Sequence, residues 1–183
     1  MIAESIKSEY QRYKSLAEMA IAQVKDDDLH KVLGEDGNSI AVIMNHISGN
    51  LKSRFTNFIM EDGEKPWRNR DEEFEEKLED RTILLKKWDE SWRILFNEIN
   101  SLKDSDLGKV VRITGKELTV SEALQRSLAH ASYHVGQIVL MARIHAGRDW
   151  KSLSIPRGKS QEYNLNPTKE RQKIKIFNTE KTE

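Results

Sequence analysis

Apolar residues recur at steps of three and four along most of this chain. From Ile6 they pass through Tyr10, Tyr13, Ala17, Ala20 and Val24, one stripe on a helix of 3.6 residues per turn. The acidic run Asp26–Asp28 interrupts it. After Gly34-Glu35-Asp36-Gly37, with Asn38 or Ser39 as N-cap, a second stripe runs through Ile40, Ile43, Ile47, Leu51, Phe55 and Phe58. Residues 61–73 then lose all period. They read as a long loop, and Pro66-Trp67 inside it marks a loop that packs. A third helix carries Leu84, Trp88, Trp92, Leu95, Ile99 and Leu102 and stops at the turn cluster Lys103-Asp104-Ser105-Asp106.

Between Lys109 and Val120 the period shortens to two. Val110–Ile113 and Glu117–Val120 flank Thr114-Gly115-Lys116, the pattern of a small hairpin. The last long helix opens at Thr119, where Thr119 and Glu122 match a capping box, and ends at Gly147. Its inward stripe is Val120, Ala123, Leu124, Ser127, Ala131, Ile138 and Met141. The loop from Trp150 to Gly158 is rich in apolar residues. Beyond Pro167 the chain is polar and charge-mixed and reads as a flexible tail, with Lys173–Phe177 as an alternative edge strand. The sum is an all-α fold, an antiparallel four-helix bundle over residues 1–165 with a short β-hairpin between the third and fourth long helices, followed by a tail at 166–183.

Composition narrows the function classes. Thirty basic residues balance thirty acidic ones, so no bulk field draws the chain to nucleic acid or an anionic membrane. Apolar runs such as Ile40–Met44 fall far short of the roughly 18–20 residues that span a bilayer. The N-terminal segment is acidic and lacks the apolar core of a signal peptide, so a cytoplasmic protein is expected. Cysteine is absent, which removes disulfides, thiolate zinc sites and a cysteine nucleophile.

Histidines carry what chemistry remains. His130 and His134 stand four apart on the last helix, so they share one face with Cβ atoms about 5–6 Å apart. Both fall within the apolar stripe, where an unpartnered polar group costs roughly 2–7 kcal/mol. One metal ion would satisfy both, as would a hydrogen-bonded core couple. His46 lies at the rim of the second helix's stripe and is the candidate third ligand. Asn50 and Arg54 follow it by one and two turns. His145 shares the face but stands roughly 16 Å along the axis from His134, too far to share an ion. His30, beside the acidic run, reads as solvent-exposed. Rival motifs fail: His130-Ala131-Ser132-Tyr133-His134 lacks the glutamate of a zincin, and no Glu-x-x-His pair recurs on two helices as in a di-iron bundle. A Gly-rich phosphate loop and a Gly-x-Ser-x-Gly elbow are both missing from the sequence.

Asp36-Gly37-Asn38-Ser39-Ile40, Asn45-His46, Asp62–Trp67, His130 with His134-Val135-Gly136-Gln137, and Trp150–Gly158, in that order, together resemble the DinB/YfiT-like superfamily over roughly residues 1–165. The nearest branch is one of unknown function. The resemblance implies an up-down-down-up bundle, commonly a homodimer, with a metal held by one histidine of the second helix and two of the fourth. Carried over by position these are His46, His130 and His134. It also implies metal-dependent transfer chemistry using a low-molecular-weight thiol, or hydrolysis.

Three imidazoles leave a position open on a divalent ion, the layout of a catalytic site. Zinc is the first expectation and nickel the second. Without cysteine, any thiol must come from a small-molecule cosubstrate. Asn50, Arg54 and Arg157 are candidate contacts for an anionic cosubstrate, and Trp67 and Trp150 are candidate pocket walls. Plainer roles also fit, Arg54 as a solvated rim charge and the tryptophans as loop pins. The competing reading is a non-catalytic, metal-stabilised dimeric module that binds a small molecule or a partner protein.

Overall fold

A computed structural model describes residues 2–166. Four long helices pack together: α1 (Ile2–Ile21), α2 (Ile40–Phe55), α3 (Arg81–Ser101) and α4 (Val120–Ala146). Between α3 and α4 lies an antiparallel hairpin of β1 (Val110–Ile113) and β2 (Lys116–Thr119). A short helix, α5 (Ser160–Leu165), follows, which the sequence pattern did not announce. The expected tail beyond Pro167, with its alternative strand at Lys173–Phe177, lies outside the described residues.

The stripes become the core. Trp88, Trp92, Tyr10, Phe55, Ile47 and Leu51 are fully buried, and Tyr10 sets its ring edge-on to both Phe55 and Trp92. Ser39 is the N-cap of α2, accepting from Val42 N–H at 3.1 Å. Thr119 and Glu122 close the expected capping box on α4, and Gly147 ends it at φ +55°, where a side chain would be strained. The second helix stops at Phe55, three residues before its stripe does. Asn57 turns the chain at φ +52°, and Phe58 stays in the core from the turn.

Side-chain bonds fix the helix directions. Ile2 and Ala3 N–H groups donate to Asp104, just past α3, at 3.2 and 2.9 Å. At the opposite end Arg81, which opens α3, donates to Ile21 O at 3.0 Å and to Val24 O. Helices α1 and α3 are therefore antiparallel. Tyr10 Oη donates to Leu124 O at 2.9 Å and Gln23 bonds the Lys151 backbone, so α1 and α4 run parallel. Ser39 meets Glu76 and Asn45 meets Glu79, both just ahead of α3, while Lys52 lies towards Glu90. Helices α2 and α3 are parallel as well, and the bundle is up-down-down-up.

Parallel neighbours cannot be joined by a tight turn. Residues 56–80 therefore form a crossover that returns along α2, and this path delivers polar side chains to the bundle's interior edge. Within the segment read as a loop, Asp71–Phe74 form a 3-10 turn packed on α2. Asp62 anchors the crossover to the hairpin. Its carboxylate accepts from Thr114 N–H at 2.8 Å and Gly115 N–H at 2.7 Å. Those two turn residues lie at φ +54° and +72°, the double positive φ of a tight type I′ hairpin. The clamp helps hold Thr114 in a conformation that disfavours a β-branched residue.

His30 corrects an expectation. It sits in a 3-10 turn (Asp26–His30) with a mostly covered side chain, its Nδ1 at 2.7 Å from Glu76 and its Nε2 at 3.0 Å from Glu79 O. The crossover, which sequence pattern could not place, covers it.

Candidate metal centre

The backbone of α4 presents His130 and His134 on one face, one turn apart, and α2 brings His46 opposite them. His46 and His134 are buried and His130 is half-buried. The three rings converge: His46 Nε2 and His134 Nε2 each lie 3.2 Å from His130 Nε2, and all three ligand atoms fall within 4.8 Å of one another. Two nitrogens bound at 2.0–2.1 Å to one tetrahedral ion stand about 3.3 Å apart. The spacing suits a shared ion.

Proton accounting sharpens that fit. His46 Nδ1 is 2.9 Å from Glu73 Oε2, and a carboxylate accepts only, so Nδ1 carries the hydrogen. His134 Nδ1 donates likewise to Gln137 Oε1 at 2.8 Å, and the Gln137 amide is aimed by donating to Tyr133 Oη at 3.3 Å. In the neutral rings both Nε2 atoms then carry bare lone pairs directed at His130 Nε2. A single hydrogen on His130 can satisfy one of them. The other faces a nitrogen with no second hydrogen to give, unless a cation lies between. Burial, then the adjacent His134 and His46, pushes the His130 pKa down to about 4. Burial also lowers that of His134, against the opposing Gln137 bond. Such rings stay unprotonated and free to ligate near neutral pH.

The support behind His46 is built from the crossover. Arg68, whose side chain is 2% exposed, holds both oxygens of Glu73 at 2.8 and 2.9 Å. Burial works to raise the Glu73 pKa, but the bonds from His46 and Arg68 outweigh it and keep the group a carboxylate. Phe74 lays its ring 4.5 Å from that of His46. Gly49 completes the fit: a Cβ there would stand 2.1 Å from Glu73 Oε1, so only glycine lets the carboxylate lie so close to α2. A carboxylate bonded to the far nitrogen of a ligand histidine fixes the ring's tautomer and orientation.

Of the other residues singled out in the sequence, Asn50 and Arg54 line a cavity of about 210 Å³ that includes His46 and His130. Arg54 is tied down by Gly63 O at 2.7 Å and Glu64 at 2.9 Å. Trp67 lies elsewhere. It lines a separate cavity of about 300 Å³ between α2 and α3, 53% exposed, with Lys52 over its ring. Arg157 is exposed on the segment after α4 and lines neither cavity. Trp150 packs on the core as a loop pin. His145 stays outside the cluster. Sequence reasoning missed Arg68, Glu73, Arg70, Arg126 and Gly49. A glycine inside a helical stripe is a usable signal for a close approach; the loop charges carried none.

Fold and site define an up-down-down-up helical bundle whose second and fourth helices bring together three histidines able to hold a metal ion. The chain belongs to the family described as "Protein of unknown function (DUF1572)", whose model matches residues 2–159. Among solved structures it is similar to the "conserved protein of locus from Enterococcus faecalis", at 15% identity and a TM-score of 0.61, over 81% of this chain and 99% of that one. At that identity the likeness concerns the fold. No curated protein matches. Among the described residues no helix is long and apolar enough to cross a membrane.

Proposed function

We propose that this chain is a metal-dependent transferase of the DinB/YfiT-like kind, holding one divalent ion, zinc before nickel, on His46, His130 and His134. The carrying observation is the Nε2 convergence with both outer Nδ1 atoms already donating, which leaves lone pairs that a cation would satisfy. A bound divalent ion would supply Lewis acidity that lowers the pKa of a thiol cosubstrate.

The protein's residues supply the rest. Glu73 keeps the proton on His46 Nδ1 and the lone pair on Nε2. Arg68 holds Glu73 still, and Gln137 does for His134 what Glu73 does for His46. Phe74 lies against the His46 ring, and Phe55 and Asn50 line the cavity where a substrate would sit. Among the described residues no aspartate or glutamate lines that cavity. With no carboxylate base in the wall, loss of the proton from a bound thiol or water would rest on the ion's Lewis acidity. The chain has no cysteine, so the thiol is a separate small molecule. The exposed Tyr133, Leu140 and Ile144, along one outer face of α4, offer an apolar stripe for a second copy, consistent with a homodimer.

The test is elemental analysis of untagged protein, then turnover of metal-loaded protein with a panel of low-molecular-weight thiols and electrophiles. Turnover lost in His130→Ala supports the enzyme. Background rates with every pair would favour a non-catalytic, metal-stabilised module.

A further inference from the structure

Among the described residues four arginines line the cavity beside His46 and His130: Arg54, Arg68, Arg70 and Arg126. Two are spoken for. Arg54 is bonded to Glu64 and Arg68 to Glu73. The other two have no acidic partner among the described residues. Arg70 rests over the Phe74 ring at 5.0 Å, and that ring in turn lies against His46. Arg126 stands four residues before His130 on α4, so it shares that histidine's face one turn away. A chain of zero net charge thus concentrates guanidinium groups at one small opening whose wall, among the described residues, holds no carboxylate. Planar guanidinium forks match carboxylate and phosphate oxygens in pairs.

We infer that Arg70 and Arg126 form an oxyanion subsite, so that the small molecule bound beside the histidines carries a carboxylate or phosphoryl group. The inference names the substrate class of the reading above and rests on it. Arg54 and Arg68 add positive potential without leaving their own partners. Arg70 and Arg126 are exposed, so they close on the anion from solvent.

The test titrates zinc-loaded protein with succinate, inorganic phosphate and neutral succinamide, read by calorimetry. Metal occupancy is followed separately by cobalt(II) absorption. Succinate or phosphate should bind, and whichever binds more tightly identifies the group. Succinamide should bind at least tenfold more weakly than succinate. Arg126→Gln and Arg70→Gln should each weaken the anion about tenfold, the order of one charge-assisted hydrogen bond, with melting temperature and cobalt uptake unchanged. Affinity should also fall as salt rises. Equal affinity in both variants and wild type, succinamide binding as tightly as succinate, or no binding of either anion would overturn the subsite. A failure of the metal reading would appear instead as absent cobalt uptake in wild type, whatever the anions do.

Discussion

Replacing Gly49 by alanine puts a methyl group where α2 now leaves room for a carboxylate. The new Cβ would lie 2.1 Å from Glu73 Oε1 and 2.6 Å from its Cδ, so the carboxylate must retreat beyond 3.0 Å. A displacement of that size cannot preserve the 2.9 Å bond to His46 together with both bonds from Arg68. The helix itself gains, because alanine is better than glycine in a helix interior by about 1 kcal/mol. Folding stability of the metal-free protein should therefore change by no more than about 1 kcal/mol in either direction, since the gain offsets one or two weakened hydrogen bonds. Metal binding should suffer far more. Loss of the group orienting a ligand histidine costs about 10- to 100-fold in affinity, or about 1.4–2.7 kcal/mol. The assay is a competition titration of zinc against a chromophoric chelator, beside a denaturant melt of the apo form. Wild-type zinc affinity in Gly49→Ala would refute the claim that Glu73 positions His46. A collapse of apo stability would show that the glycine serves the fold instead.

A chelator should lower the melting temperature of metal-loaded wild type, because an ion at one hundred times its Kd contributes about 2.7 kcal/mol; His134→Ala should not respond, and equal shifts in both would contradict ligation. Ser39→Ala removes the α2 N-cap and the bond to Glu76, and should cost about 1–2 kcal/mol in a denaturant melt; no change would mean that water replaces the cap. The Asp62 carboxyl, though burial works to raise it, is held below its ordinary range by the backbone N–H groups of Glu64, Gly115 and Thr114. The unfolded chain takes up that proton first, so the stability Asp62 contributes is whole above its ordinary pKa and drains as pH falls through and below it. Asp62→Asn should flatten that acid limb of a stability–pH profile, and an unchanged limb would assign it to other carboxylates.

Local physics made four helices legible, since an amphipathic stripe is written in neighbouring residues and each one here found a core to face. The same holds for the caps at Thr119 and Gly147, for the hairpin, and for His130 with His134, whose shared face follows from a four-residue step on any helix. Placing His46 opposite them needed two helices to be neighbours, which periodicity suggests and packing decides. Nothing local in Arg68, Arg70 or Glu73 separates them from the other charges of a polar segment. Their positions follow from the route of the crossover, a route forced because α2 and α3 run parallel. The same path covered His30 and carried Trp67 to a different cavity. Spacing along a helix is a short-range property, whereas a loop's charges acquire neighbours only when the whole chain closes around them, and that is why the three histidines could be read in advance and the groups that aim them could not.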